Sequence, residues 1–397
     1  MSTTSIIDVQ ILGERSIGRY FQAAAIGAVY DKLPSHTKSE ILNGFETGVA
    51  RLSVTDFDTL CREVAAFLNT NVCDVKRSRP SLYKAGNTSD KQIIANAGID
   101  ITGKDFCSAL VDFYQNGGLV NNAAITTSVP MLLRTYVFSA YKEGVLASKE
   151  KINVGSLYLA LAGSVISITG KVTKIVGGER KIYDLFLVPD ASAASLSAAP
   201  LMYSLMHVGA VVRQKVGGTP SIESYLRHAS QVESLSLELA VLLAFTMLAY
   251  DAYKTYNLIS SASILYDKPE AFRLINITGA GQQRPQVVWE RPLTLTHVLS
   301  MLDSKGALAL VKYLDKAIGH LKNLAGKIEN LDSIIASCIE DLFAYVETSF
   351  IDALASCGSR LARVYDKLYL ECAKDDKVAC SAVNDYASLL KLLSKLA

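Results

Sequence analysis

The histidines and cysteines could support catalysis or metal binding, but their spacing favours neither. No histidine forms a His-Asp doublet or a His-Glu-x-x-His pattern, so a structural role is expected for each of the five: His36, His207, His228, His297 and His320. Cys372 and Cys380 lack a histidine or carboxylate set at zinc spacing and are expected to pack in a helical core. Asp375-Asp376 is expected to be a solvated helix junction.

Nucleotide-binding and nucleophile motifs are incomplete. Gly279-Ala280-Gly281 begins like a dinucleotide fingerprint, but Arg284 occupies the position of the third glycine and no βαβ unit surrounds it. There is no GxxxxGK[ST] phosphate loop and no G-x-S-x-G elbow. The sequence therefore predicts a protein that is not an enzyme and that uses no cofactor and no metal.

The remaining residues that could bind a ligand are basic and amide side chains on irregular segments. Lysine and arginine neutralise phosphates, and glutamine can hydrogen-bond base edges. In residues 71–98, five basic residues stand against only Asp74 and Asp90. We predict nucleic-acid contact by this loop, by a hairpin tip and by a glycine-hinged loop, through Lys76, Arg77, Arg79, Lys84, Lys91, Lys174, Arg180, Lys181, Gln282, Gln283 and Arg284. For the loop with Lys76 to Lys91 and for the loop with Gln282 to Arg284, the alternative to nucleic-acid contact is an ordinary solvated surface.

Composition restricts the class of protein and its compartment. The 397 residues suffice for two or three domains, and only 20% are charged, which favours an assembly subunit with covered apolar surface. The formal charge of +2 requires any nucleic-acid role to come from local patches. Seven cysteines without short paired spacings, and an N-terminus without a secretory signal, predict a reducing cytoplasmic location. The longest apolar run, 235–250, is too short for a membrane span of about 20 residues.

Hydrophobic periodicity predicts an α+β protein that is predominantly helical, with a mixed N-terminal domain over 1–292 and an antiparallel helical bundle over 293–397. Ser53 or Thr55 is suited to cap the third helix. Two strands are expected within 271–291, and residues 71–98 are expected to be irregular. Helices are predicted over 13–69, where Ile41, Phe45, Val49 and Leu52 share one helical spacing, and over 103–114, 130–146, 201–208 and 221–262.

Residues 170–189 are the clearest predicted hairpin, with a Gly-Gly turn and Pro189 at its end. Two registers fit the sequence. A two-residue turn sets Lys171 opposite Asp184, whereas a four-residue loop pairs Val172 with Leu185.

The chain resembles the large subunit of archaeal type I, I-A-like, CRISPR interference complexes, the crRNA-guided Cascade assemblies of antiviral defence. The resemblance lies in the layout and in two segments, Gly-Lys-Val-Thr-Lys-Ile-Val-Gly-Gly-Glu-Arg-Lys-Ile-Tyr-Asp-Leu-Phe-Leu-Val-Pro at 170–189 and Arg-Pro-Gln-Val-Val-Trp-Glu-Arg-Pro-Leu at 284–293. It implies that the N-terminal domain recognises the protospacer-adjacent motif on double-stranded target DNA, contacts the crRNA 5′ end and helps open the duplex. The bundle would pack against backbone and small subunits, and a separate helicase-nuclease would cut. The alternative is a structural scaffold subunit without nucleic-acid contact.

Overall fold

The structure is a computed structural model that describes residues 5–14, 16–73, 88–102, 105–130, 132–133, 151–176, 179–207, 222–256, 272–278, 286–293, 305–324 and 326–396. The chain divides into two compact units, one of Met1–Thr219 with Glu270–Leu293 and one of Pro220–Pro269 with Thr294–Ala397. The sequence predicted a boundary at 292 and kept 220–269 in the first domain. Those residues group with the second unit because their helices pack on the helix that begins at Lys305.

The first unit combines helices with small antiparallel sheets. Its strands are β1 Ile6–Gln10, β2 Val49–Ser53, β3 Thr126–Ser128, β4 Lys151–Asn153, β5 Ile168–Val176, β6 Glu179–Pro189, β7 Phe272–Thr278 and β8 Gln286–Leu293. Its helices are α1 Ile17–Gly27, α2 Ser35–Thr47, α3 Val54–Phe67, α4 Thr88–Asn96, α5 Phe106–Gln115, α6 Gly118–Asn122, α7 Val154–Ile166 and α8 Ala193–His207. A 3₁₀ turn at Tyr30–Lys32 and a π-helical turn at Leu68–Cys73 complete the set.

The second unit contains only helices in its described part. They are α9 Ile222–Ala229, α10 Leu237–Tyr256, α11 Lys305–Leu324, α12 Leu331–Thr348, α13 Ile351–Cys372 and α14 Lys377–Leu396. Buried residues on α13 recur every three or four positions, namely Leu354, Cys357, Leu361, Val364 and Leu368. This spacing forms one apolar face, and α11 to α14 pack in the bundle that the periodicity predicted. The α+β, predominantly helical class is confirmed.

Helix α7 is the centre of the first unit, and all of its residues are buried. Helix α1 packs against it so closely that a Cβ added at Gly163 would lie 1.6 Å from the carbonyl oxygen of Phe21. The fully buried Gln22 joins the neighbouring elements through its amide. Its Oε1 accepts from the backbone N–H of Leu12 at 2.9 Å, and its Nε2 donates to the carbonyl of Gln10 at 2.8 Å. A buried amide that is satisfied in this way fixes α1 against β1.

Two sequence predictions about local structure are wrong. The helical spacing that runs through Val49 breaks at Gly48, whose φ of 90° ends α2 in the left-handed region. The chain then forms β2, which pairs with β1 and alternates in burial with Ala50 and Leu52 inside. Part of the expected irregular segment is also ordered, since residues 88–96 form α4. The predicted helix over 130–146 lies mostly outside the described residues.

The cysteines form disulfides, which overturns the expectation of reduced thiols. The pairs are Cys73–Cys107, Cys338–Cys357 and Cys372–Cys380, and Cys61 stays free and buried. Cys372 and Cys380 therefore do more than pack in a core. They lie on α13 and α14, and the short turn between these helices brings the two side chains together.

The junction at Asp375-Asp376 is a helix cap. Asp376 Oδ1 accepts from the backbone N–H groups of Val378 at 2.9 Å and Ala379 at 3.2 Å. Its other carboxylate oxygen pairs with Lys327. These bonds lower the pKa of Asp376, with the Lys327 contact as the largest cause. The junction thus starts α14 and joins it to the end of α11.

Candidate nucleic-acid interface

Four antiparallel strands in the order β5-β6-β7-β8 carry two of the three predicted contact groups. Strands β5 and β6 are connected through residues 177–178, and β7 and β8 through residues 279–285, all of which lie outside the described residues. Because neighbouring strands are antiparallel, both connections leave the same end of the sheet. We call this the turn end. The link from β6 to β7 is at the opposite end.

The hairpin register is the one set by a two-residue turn, with Lys171 paired to Asp184. The four-residue alternative, with Val172 opposite Leu185, is wrong, since Val172 pairs with Tyr183 and Leu185 with Gly170. Lys171 Nζ lies 3.5 Å from Asp184 Oδ1, and the Asp184 side chain is 2% exposed. In the alternative register, which is offset by two residues, Asp184 would lie opposite Thr173 instead of Lys171, so the pairing of this buried carboxylate with an ammonium group favours the observed register.

The β5–β6 hairpin extends beyond the described part of β7. Among the described residues, the first β7 partner along β6 is Tyr183, and residues 179–182 of β6 pair with β5. Four residues at about 3.3 Å each make an arm of roughly 13 Å. The register sets Lys174 opposite Lys181 and Arg180 opposite Ile175, so the two lysines share one face and Arg180 lies on the other. The backbone register thus assigns the three basic residues to positions on both faces of the arm.

The other predicted residues are placed only in part. Lys91 is on α4, and its side chain is partly exposed. Lys76, Arg77, Arg79 and Lys84 lie outside the described residues, as do Gln282, Gln283 and Arg284. The last three belong to the connection that leaves β7 at Thr278, which pairs with Tyr183 near the base of the arm. The sheet therefore brings the strand ends that flank both connections to the turn end.

Helices α1 and α8 both pack against β6 at the base of the arm. The ring of Phe186 lies 5.1 Å from that of Phe21 on α1, measured between centroids. The Tyr203 hydroxyl on α8 donates to the carbonyl of Leu187 at 2.9 Å. At the end away from the turns, Arg273 on β7 pairs with Asp190, so this basic side chain is already neutralised. The part of β6 at the base of the arm, residues 185–188, is therefore buried and packed against two helices.

One polar cluster that the sequence did not reveal joins α2 to α3. Asp56 accepts hydrogen bonds from Ser53 at 2.6 Å, His36 at 2.9 Å and Thr37 at 3.0 Å. The bond from Ser53, opposed by burial and helped by the other two, lowers the pKa of Asp56. Ser53 is also the N-cap of α3, because its hydroxyl accepts from the Asp56 N–H. The carboxylate lies between the serine and the histidine, so the serine is not activated as a nucleophile.

A second cluster surrounds the free thiol on α3. Burial raises the pKa of Cys61 well above its usual value and does the same for Tyr158. Burial, with a hydrogen bond to Asp58 at 3.1 Å, raises the pKa of Tyr114 to about 12. All three groups keep their protons at neutral pH, so none serves as a base or nucleophile there.

Three histidines meet carboxylates from other helices. His36 contacts Asp56, His228 lies 3.1 Å from Asp315, and His320 lies 3.0 Å from Asp385. The partners are at least 20 residues away in sequence, so no local motif could show these pairs. Each pair connects two helices. Among the described residues, no three His, Cys, Asp or Glu side chains form a group suited to a metal ion.

Comparison with protein-family models, with curated proteins and with solved structures gives no match to this chain. Within the described part of the chain, no helix has both the length and the apolar character needed to cross a membrane.

Proposed function

We propose that the protein is the non-catalytic large subunit of a crRNA-guided CRISPR surveillance complex in the cytoplasm. In this proposal the first unit binds crRNA and target double-stranded DNA and helps recognise the protospacer-adjacent motif. The second unit packs against backbone and small subunits, and a separate helicase-nuclease cuts the DNA. The observation that supports the proposal is the common position of the hairpin arm and the 279–285 connection at the turn end.

The charge arrangement on the arm favours an anionic partner. Like charges directly opposite each other in an antiparallel pair destabilise it, and the register sets Lys174 against Lys181. A phosphate between the two ammonium groups would offset that repulsion. Arg180, on the other face, would meet a second stretch of backbone. Positive charge on both faces suits an arm that enters between two strands better than one that lies flat on a duplex.

The first test removes the positive charges of the arm. We expect the triple variant Lys174→Ala, Arg180→Ala, Lys181→Ala to bind duplex DNA more weakly and with little regard to sequence. Up to three phosphate contacts would be lost, so the slope of log affinity against log salt should fall by up to roughly 2.7, about 0.9 for each contact. Fluorescence anisotropy of labelled duplexes over a range of salt concentrations measures both quantities.

The control replaces three exposed lysines of α14 in the second unit by alanine, Lys377, Lys391 and Lys395. This variant has the same net charge as the arm variant, so equal losses in both would mean that only net charge matters. An unchanged control beside a weakened arm variant would support the arm as the contact. If neither variant changes the salt slope, the arm is ordinary solvated surface.

The remaining predicted residues divide into two further variants. Alanine at Gln282, Gln283 and Arg284 should cost about 1–3 kcal/mol for each good base contact on the preferred motif and little on other DNA. Alanine at Lys76, Arg77, Arg79, Lys84 and Lys91 should weaken binding to all sequences and lower the salt slope by up to about 4.5. A motif-independent loss from the first variant would contradict base reading by the glutamine loop.

A scaffold without nucleic acid is the second candidate, and exposed apolar residues of the second unit favour it. Phe350 and Tyr369 are each 59% exposed, and Leu370 is 60% exposed. Large apolar side chains in such positions suit contact with another protein chain. Co-purification separates the two functions. A complex that contains a short RNA supports the CRISPR proposal, whereas protein partners without RNA support the scaffold.

A further inference from the structure

The disulfides connect elements that are neighbours in the fold. Cys73 ends the π-helical turn and bonds to Cys107 in the first turn of α5. In the second unit, Cys338–Cys357 joins α12 to α13, and Cys372–Cys380 joins α13 to α14. The Cα atoms of the three pairs are 5.3, 4.7 and 4.6 Å apart, within the usual range for a disulfide. Three successive helices are therefore linked covalently in series.

We propose that the protein acts in an oxidised form, with these three disulfides as its native modification sites and with Cys372–Cys380 as the bond that opens first under reducing conditions. A disulfide is reduced when a thiolate attacks one of its sulfur atoms, so access controls the order of opening. Cys372 and Cys380 are both partly exposed at the α13–α14 junction. Cys338 and Cys357 are 0% and 3% exposed and protected inside the bundle.

We expect Cys73–Cys107 to be reduced after Cys372–Cys380 and before Cys338–Cys357. Cys73 is partly exposed and Cys107 is 5% exposed, so one sulfur is more open to attack than those of Cys338–Cys357. Cys61 takes no part, because it lies at 1% exposure and has no cysteine partner. The seven cysteines thus form three classes: an accessible bond, two less accessible bonds and one buried thiol.

Formation of each bond needs an electron acceptor. The two thiols lose two protons and two electrons, and a disulfide-bearing oxidant, either oxidised glutathione or a protein dithiol oxidoreductase, takes them up and leaves as two thiols. Disulfides of this number are unusual in the cytosol of mesophiles but common in intracellular proteins of hyperthermophilic archaea. The inference does not depend on nucleic-acid binding, because it concerns the covalent state of the chain.

The experiment counts thiols in the full-length protein after equilibration in a glutathione redox buffer. Denaturation and alkylation without reductant should add one label, at Cys61, and peptide mapping should recover the three named pairs. Denaturation with reductant should add seven labels. The Cys61→Ala variant is the control and should take up no label without reductant. More than one label on the oxidised wild-type protein, or any other pairing, would overturn the proposal.

Graded reduction of the native protein tests the order. With increasing dithiothreitol and trapping by alkylation, labels should appear first at Cys372 and Cys380 and last at Cys338 and Cys357. The double variant Cys372→Ser, Cys380→Ser should remove the first phase and leave the later ones in place. Earlier labelling of Cys338 and Cys357 would overturn the assigned order, and simultaneous labelling of all six would show that no bond opens independently of unfolding.

Discussion

Replacing Gly163 by alanine should destabilise the first unit more than alanine at any other described glycine in the helices of that unit. The added Cβ would lie 1.6 Å from the carbonyl oxygen of Phe21 and 2.5 Å from its carbonyl carbon. A carbon and an oxygen ordinarily approach to about 3.3 Å, so α1 and α7 would have to separate by roughly 2 Å. The obstacle is backbone, which cannot rotate away as a side chain can.

The expected loss in the free energy of unfolding follows from the packing that this separation of α1 and α7 would disturb. Overpacking a core by one methyl group costs about 1–3 kcal/mol, and more where the neighbours cannot adjust. Here the neighbours are the buried faces of two helices, so we expect a loss of at least about 3 kcal/mol. For a unit of this size, 1 kcal/mol corresponds to about 2–4 °C, which gives a fall in Tm of about 6–12 °C. Differential scanning calorimetry and urea unfolding both measure the change.

Gly358→Ala is the matched control. Gly358 lies inside α13, and a Cβ there would meet nothing within 4 Å. Alanine should therefore stabilise the helix by about 0.5–1 kcal/mol through its better helix propensity. If Gly163→Ala melted within about 2 °C of the wild type, the close approach of α1 to α7 would be wrong.

Three other predictions concern caps, pH and boundaries. Ser53→Ala should lower the free energy of unfolding by about 0.5–2 kcal/mol in urea titrations, because α3 loses its N-cap, and equal stability would contradict that role. His228→Gln should lower the free energy of unfolding more at pH 5.5 than at pH 8.5. The hydrogen bond to Asp315 raises the pKa of His228 in the folded protein. The charged imidazole therefore stabilises the fold fully below the ordinary pKa of histidine, and this stabilisation is lost as the pH rises through the raised pKa. Thermal melts at the two pH values check this, and a pH-independent loss would refute it. Residues 294–397 alone should melt at a lower temperature than the same residues linked to 220–269, because α11 packs on α9 and α10; equal melting temperatures would restore the boundary predicted from sequence.

The sequence predicted those features that depend on local patterns. The strands of the β5–β6 hairpin follow from two apolar runs around a Gly-Gly turn, and Ser53 was one of the two caps expected for α3. The correct register was one of two possibilities, and the choice between them needed the burial of Asp184, which no sequence pattern displays.

The features that were not predicted depend on residues that are far apart in the sequence. Strand β1 has five residues, and its partners on β2 lie 39 to 47 positions away in the sequence, so its short apolar pattern gave no indication of that pairing. The disulfides could not be predicted without knowing which helices are adjacent in the fold. The turn end could not be predicted without knowing that β6 pairs with β7, because that pairing brings the two connections to the same end of the sheet.

The pairing of β6 with β7 also affects how the chain folds. Strand β6 ends at Pro189 and β7 begins at Phe272, and the intervening chain includes 220–269, which belongs to the other unit. During synthesis, one edge of β6 therefore stays without its partner until β7, which ends at Thr278, has left the ribosome. Such non-local pairing is slow, and an open edge of apolar residues invites association with other chains. The nascent sheet is thus most exposed to aggregation while the second unit's first helices are being made, and that interval is where we expect chaperones to act on this protein.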